Sequence, residues 1–143
     1  MKKFNCKSRE IQERLIVENE FAFCFLSFMP IVPGHCLICP IRVVETTDDL
    51  SLEELKSIMQ LKSSICSALS KTFGAEGFNF AWNEGEIAGQ SVPHFHLHVV
   101  PRKEGDTGIL EYEPRKFLYR PGSRAITPKE ELQQIATLIK NHL

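Results

Sequence analysis

The stretch His94-Phe95-His96-Leu97-His98-Val99-Val100-Pro101 places a histidine at every second position and an apolar residue between them. In an extended chain successive side chains point to opposite faces, so His94, His96 and His98 share one face, with about 6.6 Å between successive Cα atoms of the set. Phe95, Leu97 and Val99 take the other face and are expected to pack into a core. A strand needs only one apolar face, so three histidines on the other call for a chemical reason or for plain solvation. Two chemistries suit them. Neutral imidazoles can ligate a metal such as zinc. Alternatively, one imidazole attacks phosphorus while its neighbours position and neutralise phosphate oxygens. Spacing alone leaves both open.

Upstream of this strand lies Asn83-Glu84-Gly85-Glu86-Ile87-Ala88-Gly89-Gln90-Ser91. Its glycines let the backbone approach a ligand, and the amides and side chains of Gly89, Gln90 and Ser91 are expected to donate to phosphate oxygens. Glu84 and Glu86 bring negative charge near an anion site and must point elsewhere or act on another group.

The remaining elements form a paired pattern. Phe21–Ser27 is rich in aromatics and reads as a strand. The turn signals Pro30, Pro33 and Gly34 separate it from a second strand over about 35–43, giving an antiparallel pair. Ser51-Leu52-Glu53-Glu54 is a capping box, followed by Leu52, Leu55, Ile58, Met59, Ile65, Cys66, Leu69 and Phe73 at helical spacing. That stripe is expected to be core, with Gly74 ending the helix. A third strand is expected over 77–83. A terminal helix is expected over about 127–142, with Pro128 at its first position. Strand pairs with two packed helices make an α+β class around an antiparallel sheet.

Composition sets the outer limits. A chain of 143 residues, 43% hydrophobic and 24% charged, is expected to form one domain over 1–143. A net charge of -1 argues against a general nucleic-acid binder. Arg102, Lys103, Arg115, Lys116, Arg120 and Arg124 suggest longer polyphosphates or nucleic-acid ends, or else an ordinary solvated surface. No stretch reaches the roughly 20 apolar residues of a membrane span, and the first residues lack a signal peptide's apolar run. Five cysteines, an odd number set mostly in apolar segments, fit reduced thiols and a cytoplasmic location. Cys36 and Cys39 have the spacing of a redox or zinc pair. On a strand, however, residues three apart face opposite ways, so they read as core thiols.

Asn83-Glu84-Gly85 through Gly89-Gln90-Ser91-Val92-Pro93-His94-Phe95-His96-Leu97-His98-Val99-Val100 resembles the signature of the histidine-triad family, and Pro33-Gly34-His35 with its apolar strand and Pro40 resembles that family's upstream motif. These core motifs span about residues 20–106. Pro30, Val32–His35 and Pro101–Lys103 look most like the fragile-histidine-triad branch, which cleaves dinucleoside polyphosphates. The resemblance implies a five-stranded antiparallel sheet with two main helices, dimerising into a larger sheet. It implies a nucleotide hydrolase or nucleotidyl transferase acting at the α-phosphate, on dinucleoside polyphosphates or related nucleoside phosphoramidates. His96 would form the covalent nucleotidyl intermediate. His94 and His98 would contact phosphate and help the leaving group, and His35 would orient a ring from the adjoining strand. Asn83, Gly89, Gln90 and Ser91 would line the phosphate or leaving group. No protein-bound metal is implied, and Mg2+ would accompany the polyphosphate.

The chain departs from the family pattern at two positions. Ser27 stands where the family commonly places Asn or Asp on the ribose hydroxyls. Asn83 stands where the fragile branch carries Gln, and there looks more like the nucleoside-phosphoramidase branch. Cys6 has Arg9 three residues on, so the N-terminal cysteine pair that binds structural zinc in some members is absent. A metal-dependent hydrolase and a non-catalytic nucleotide-binding protein are the rival readings. Chemistry favours a nucleophile that is neutral, as an ordinary histidine mostly is at pH 7. A neighbouring cationic imidazole would serve as a clamp on phosphate.

Overall fold

The computed structural model describes residues 3–106 and 126–143. Its strands are β1 (Leu15–Glu18), β2 (Ala22–Leu26), β3 (Cys36–Pro40), β4 (Gly77–Ala81) and β5 (Leu97–Arg102). They form one antiparallel sheet in the order β1-β2-β3-β5-β4. The short α1 (Arg9–Gln12) precedes the sheet, the long α2 (Leu52–Phe73) joins β3 to β4, and α3 (Lys129–Lys140) follows it. The α+β architecture expected from the sequence is therefore the one observed.

Alternation along β2, β3 and β5 divides the core in two. Cys24, Leu26, Cys36, Ile38, Leu97 and Val99 face α2 and α3, whose Ile58, Leu61, Ile65, Leu69, Leu132, Ala136 and Ile139 complete that cluster. Phe23, Phe25, Leu37 and Cys39 face the other way, covered by Cys6 and Ile11, with Phe4 packed against them. Cys36 and Cys39 thus lie on opposite faces of β3, and all five cysteines are free thiols.

The start of α2 is fixed twice. Ser51 Oγ accepts from the Glu54 amide at 3.1 Å, and Glu54 Oε1 accepts from the Ser51 amide at 2.9 Å. Arg42, in the loop after β3, donates to the same buried carboxylate at 2.6 Å, and this holds the Glu54 carboxyl below its usual range. Gly74 closes the helix in the left-handed region, at φ 69°.

Several boundaries differ from those read in the sequence. The Leu15–Glu18 strand and the α1 turn are additions, since four-residue segments carry too little periodicity to be read. The second strand stops at Pro40 rather than 43, and the third at Ala81 rather than 83. The fourth strand begins at Leu97, because β3 pairs only with 97–99 and leaves His94–His96 as an extended approach. Pro128 sits at the cap of α3, one residue before the first helical position. The stripe of α2 is core only in part: Leu52 is 79% exposed, and Leu55 and Met59 are 43% exposed each. They lie on the outer side of the helix, since Glu54, Ser57 and Ile58 of the same turns are buried.

Candidate active site

The turn between β2 and β3 sets the position of His35. Gly34 there has φ +94°, and a Cβ on it would meet Phe73 Cε2 at 2.9 Å and Leu69 Cδ2 at 3.0 Å, so only glycine fits. The turn presents the Ile31 amide to His35 Nδ1 at 3.1 Å. An amide can only donate, so Nδ1 is the acceptor and the proton of a neutral His35 lies on Nε2. His35 Nε2 is 2.9 Å from His98 Nδ1, which must then accept, leaving the His98 proton on its own Nε2.

His96 receives the complementary tautomer. Its Nδ1 lies 2.7 Å from the carbonyl oxygen of His94. A carbonyl can only accept, so Nδ1 carries the proton and Nε2 carries the lone pair. Burial pushes the His96 pKa below the ordinary histidine value, which keeps the ring neutral. The His96 and His98 rings stand 5.2 Å apart, nearly perpendicular. A nitrogen lone pair and a proton-bearing nitrogen are thereby fixed on adjacent rings.

His94 departs from the role that the resemblance implies. It is completely buried, and its Nε2 donates to the Pro40 carbonyl at 2.7 Å. The side chain braces the approach to β5 against the end of β3 and does not face an open phosphate site. Nor is it a cationic clamp, because burial lowers its pKa also. What His94 supplies to the site is its backbone carbonyl.

The loop before the triad is likewise more self-contained than expected. The Gly89 amide donates to the Glu86 carbonyl at 3.0 Å and the Gln90 amide to the Gly85 carbonyl at 3.1 Å. Those two amides close a 3-10 turn rather than facing a ligand. Gln90 is a brace: its Oε1 accepts from the Gly85 amide at 2.8 Å and its Nε2 donates to the Glu45 carbonyl at 2.9 Å. Asn83 is buried and donates to the Gly89 carbonyl at 3.3 Å. Ser91 alone of the loop candidates is an exposed side chain with a hydroxyl to offer.

Glu84 is turned aside, its Oε2 accepting from Trp82 Nε1 at 3.2 Å and Thr47 Oγ1 at 3.3 Å. Ser27 is buried, and its hydroxyl accepts from the Met29 amide at 3.3 Å, closing a local turn. Of the basic residues singled out, Arg102 pairs with Asp106 at 2.8 Å and Lys103 donates to the Phe73 carbonyl at 3.2 Å. Arg115, Lys116, Arg120 and Arg124 lie outside the described residues.

Among the described residues, no three His, Cys, Asp or Glu side chains are grouped to hold a metal ion. No described helix is long and apolar enough to cross a membrane. The reading of the sequence did not single out Phe4. Its ring stands 5.4 Å from that of His96 and 6.0 Å from that of His94. A lone aromatic ninety residues upstream carries no local signal of that proximity.

Known proteins share this fold. The chain is 36% identical over 95 residues to a bis(5'-adenosyl)-triphosphatase of Dictyostelium discoideum, which covers 66% of this chain and 64% of that protein, just under two thirds of the relative's length. Among solved structures it is similar to a Hit-like protein involved in cell-cycle regulation from Bartonella henselae, with TM-score 0.74 and 28% identity over 91% of this chain and 86% of that one. It is similar also to Plasmodium falciparum diadenosine triphosphate hydrolase, with TM-score 0.74 and 25% identity over 96% and 87% of the two chains. The HIT-domain profile matches residues 8–105, a span that takes in β1 to β5, His35 and the whole alternating trio, and on that match the chain belongs to the HIT-domain family.

Proposed function

We propose that the chain is a nucleotide hydrolase or nucleotidyl transferase that works through a covalent nucleotidyl-His96 intermediate, with dinucleoside polyphosphates or nucleoside phosphoramidates as substrates. The observation that carries the reading is the His96 Nδ1 bond to the His94 carbonyl, which puts the lone pair on Nε2. The substrate class rests on the similarity to a bis(5'-adenosyl)-triphosphatase.

In the first step His96 Nε2 attacks the α-phosphorus and an N–P bond forms. The bond from phosphorus to the leaving group breaks, and its electron pair leaves with the departing oxygen or nitrogen. His98, protonated at Nε2 through the His35 relay, supplies the proton that a poor leaving group needs. In the second step a water oxygen attacks phosphorus. The P–N bond breaks, its electron pair returns to Nε2, and the water proton restores the one that His98 Nε2 gave to the leaving group, or goes to solvent where none was given. Mg2+, where required, arrives with the polyphosphate as part of the substrate.

The test is single-turnover hydrolysis of labelled diadenosine triphosphate, followed by mass spectrometry of the quenched protein. An adduct on His96 that is lost in both His96→Ala and His96→Asn, with turnover down by several orders of magnitude, is the expected result. His142→Ala, altered at an exposed residue near the C-terminus, should match the wild type. Turnover that tracks stoichiometric zinc would favour the metal-dependent rival. Binding without turnover would favour the non-catalytic one.

A second copy of the chain is proposed to join at β4. That strand is an edge of the sheet and exposes Phe80 at 42%, with Trp82 just past its end exposed at 46%. Lys62 of α2 lies over the Phe80 ring, and the preceding turns of the helix expose Met59 and Leu55. Sedimentation of the wild type as a dimer, and of Phe80→Glu as a monomer, is the expected outcome.

A further inference from the structure

We propose that Phe4 is a positioning residue for the reaction, its ring set nearly perpendicular to the His96 imidazole so that the nucleophile is held in one rotamer and kept dry. The proposal rests on the reading of His96 as the nucleophile. Three ring contacts place Phe4. It lies 5.4 Å from His96 at an interplanar angle of 80°, 6.0 Å from His94, and 5.1 Å from Phe25 of β2. It thus bridges the sheet face to the imidazole, a geometry in which an aromatic edge meets a ring face favourably.

The segment carrying Phe4 is anchored by its own bonds. The Asn5 carbonyl accepts from the Ser8 amide at 2.9 Å and from the Ser8 hydroxyl at 2.8 Å, and the Cys6 carbonyl accepts from Gln12 of α1. Cys6 and Ile11 are buried in the cluster against which Phe4 packs. A hydrogen bond at Nδ1 alone would let the His96 ring swing about that contact. An aromatic wall removes this freedom and excludes water from one side.

Among the described residues, the titratable and charged groups on the elements packed here are His94 and His98 on the segment of His96, His35 behind His98, Cys39 on the β3 face that Phe4 packs against, Lys3 beside Phe4, and Arg14 over Phe25. Burial is the largest cause of the lowered His96 pKa, opposed by the bond to the His94 carbonyl and reinforced by the neighbouring His94 ring.

Two measurements on the full chain test this. Histidine ring resonances, with His96 assigned by comparison with His96→Asn, give its titration midpoint in wild type, Phe4→Ala and Phe4→Leu. Steady-state kinetics with diadenosine triphosphate give kcat and KM across pH. Phe4→Ala should raise the His96 midpoint toward the ordinary value of about 6.5. It should also move the acid limb of kcat/KM upward by the same interval and lower plateau kcat several-fold. Phe4→Leu, which restores apolar cover, should return the midpoint close to wild type.

Should Phe4→Ala not fold, Phe4→Val reads the same shift at smaller size. An unchanged midpoint in the truncated variants overturns the proposal. So does an effect confined to KM, which would make Phe4 a wall for the substrate instead. A wild-type protein that turns nothing over defeats the proposed function, yet leaves the titration to decide the contact between Phe4 and His96.

Discussion

His35 Nε2 lies 2.9 Å from His98 Nδ1, while His35 Nδ1 accepts from the Ile31 amide, so a backbone group on the β2–β3 turn fixes the proton position of a ring on β5. Replacing His35 with Ala should leave His98 free to adopt either tautomer. Loss of a group that orients a site ring commonly costs about 10–100-fold. The loss should fall on kcat, with KM little changed, and be largest for substrates whose leaving group needs a proton. Steady-state kinetics on diadenosine triphosphate and on an adenosine phosphoramidate measure it.

His94 and His96 make stability depend on pH, because burial lowers both pKa values. Above about 6.5 the imidazoles are neutral in the folded and unfolded chains alike and contribute no slope. Below it the unfolded chain binds protons first, so stability falls as pH drops, until the folded-state values are reached. The melting temperature should therefore decline from pH 6.5 toward pH 5. His94→Gln retains a donor for Pro40 but does not titrate, and should flatten that decline. A scan of Tm against pH for both proteins checks it.

Gly34→Ala should destabilise the fold and disturb the site together. The new Cβ would meet Phe73 and Leu69 at 2.9 and 3.0 Å, at a φ of +94° that side chains rarely adopt. Backbone strain and overpacking together predict about 2–4 kcal/mol. Urea melts give the loss. The His98 ring resonances should shift as well, because the same turn holds the Ile31 amide against His35.

Ser91→Ala should lower kcat with stability nearly unchanged, since the residue is exposed. A main oxyanion donor is worth about 2.7–4 kcal/mol and a secondary one less. Gln90→Ala should behave differently. It removes a brace between Gly85 and Glu45 and should lower Tm and activity together. An unchanged kcat in Ser91→Ala, with every good substrate, would remove that hydroxyl from the mechanism.

The amino-acid sequence by itself determined the class of fold, the α2 cap and stop, and the split of Cys36 from Cys39, because each follows from local periodicity or from a few adjacent residues. It also marked where the candidate site lies: an alternating trio after a glycine-bearing loop is a pattern complete within twenty residues. Tertiary structure alone decided how those residues divide the work. His94 and His96 are two positions apart on one alternating face, yet only the packing of Pro40 makes the first a buried brace, and only the His94 carbonyl fixes the tautomer of the second. The relay from Ile31 through His35 to His98 and the approach of Phe4 to His96 join residues 63 and 92 positions apart or bonded across a turn. Such contacts depend on strand order and register, quantities that no local pattern encodes.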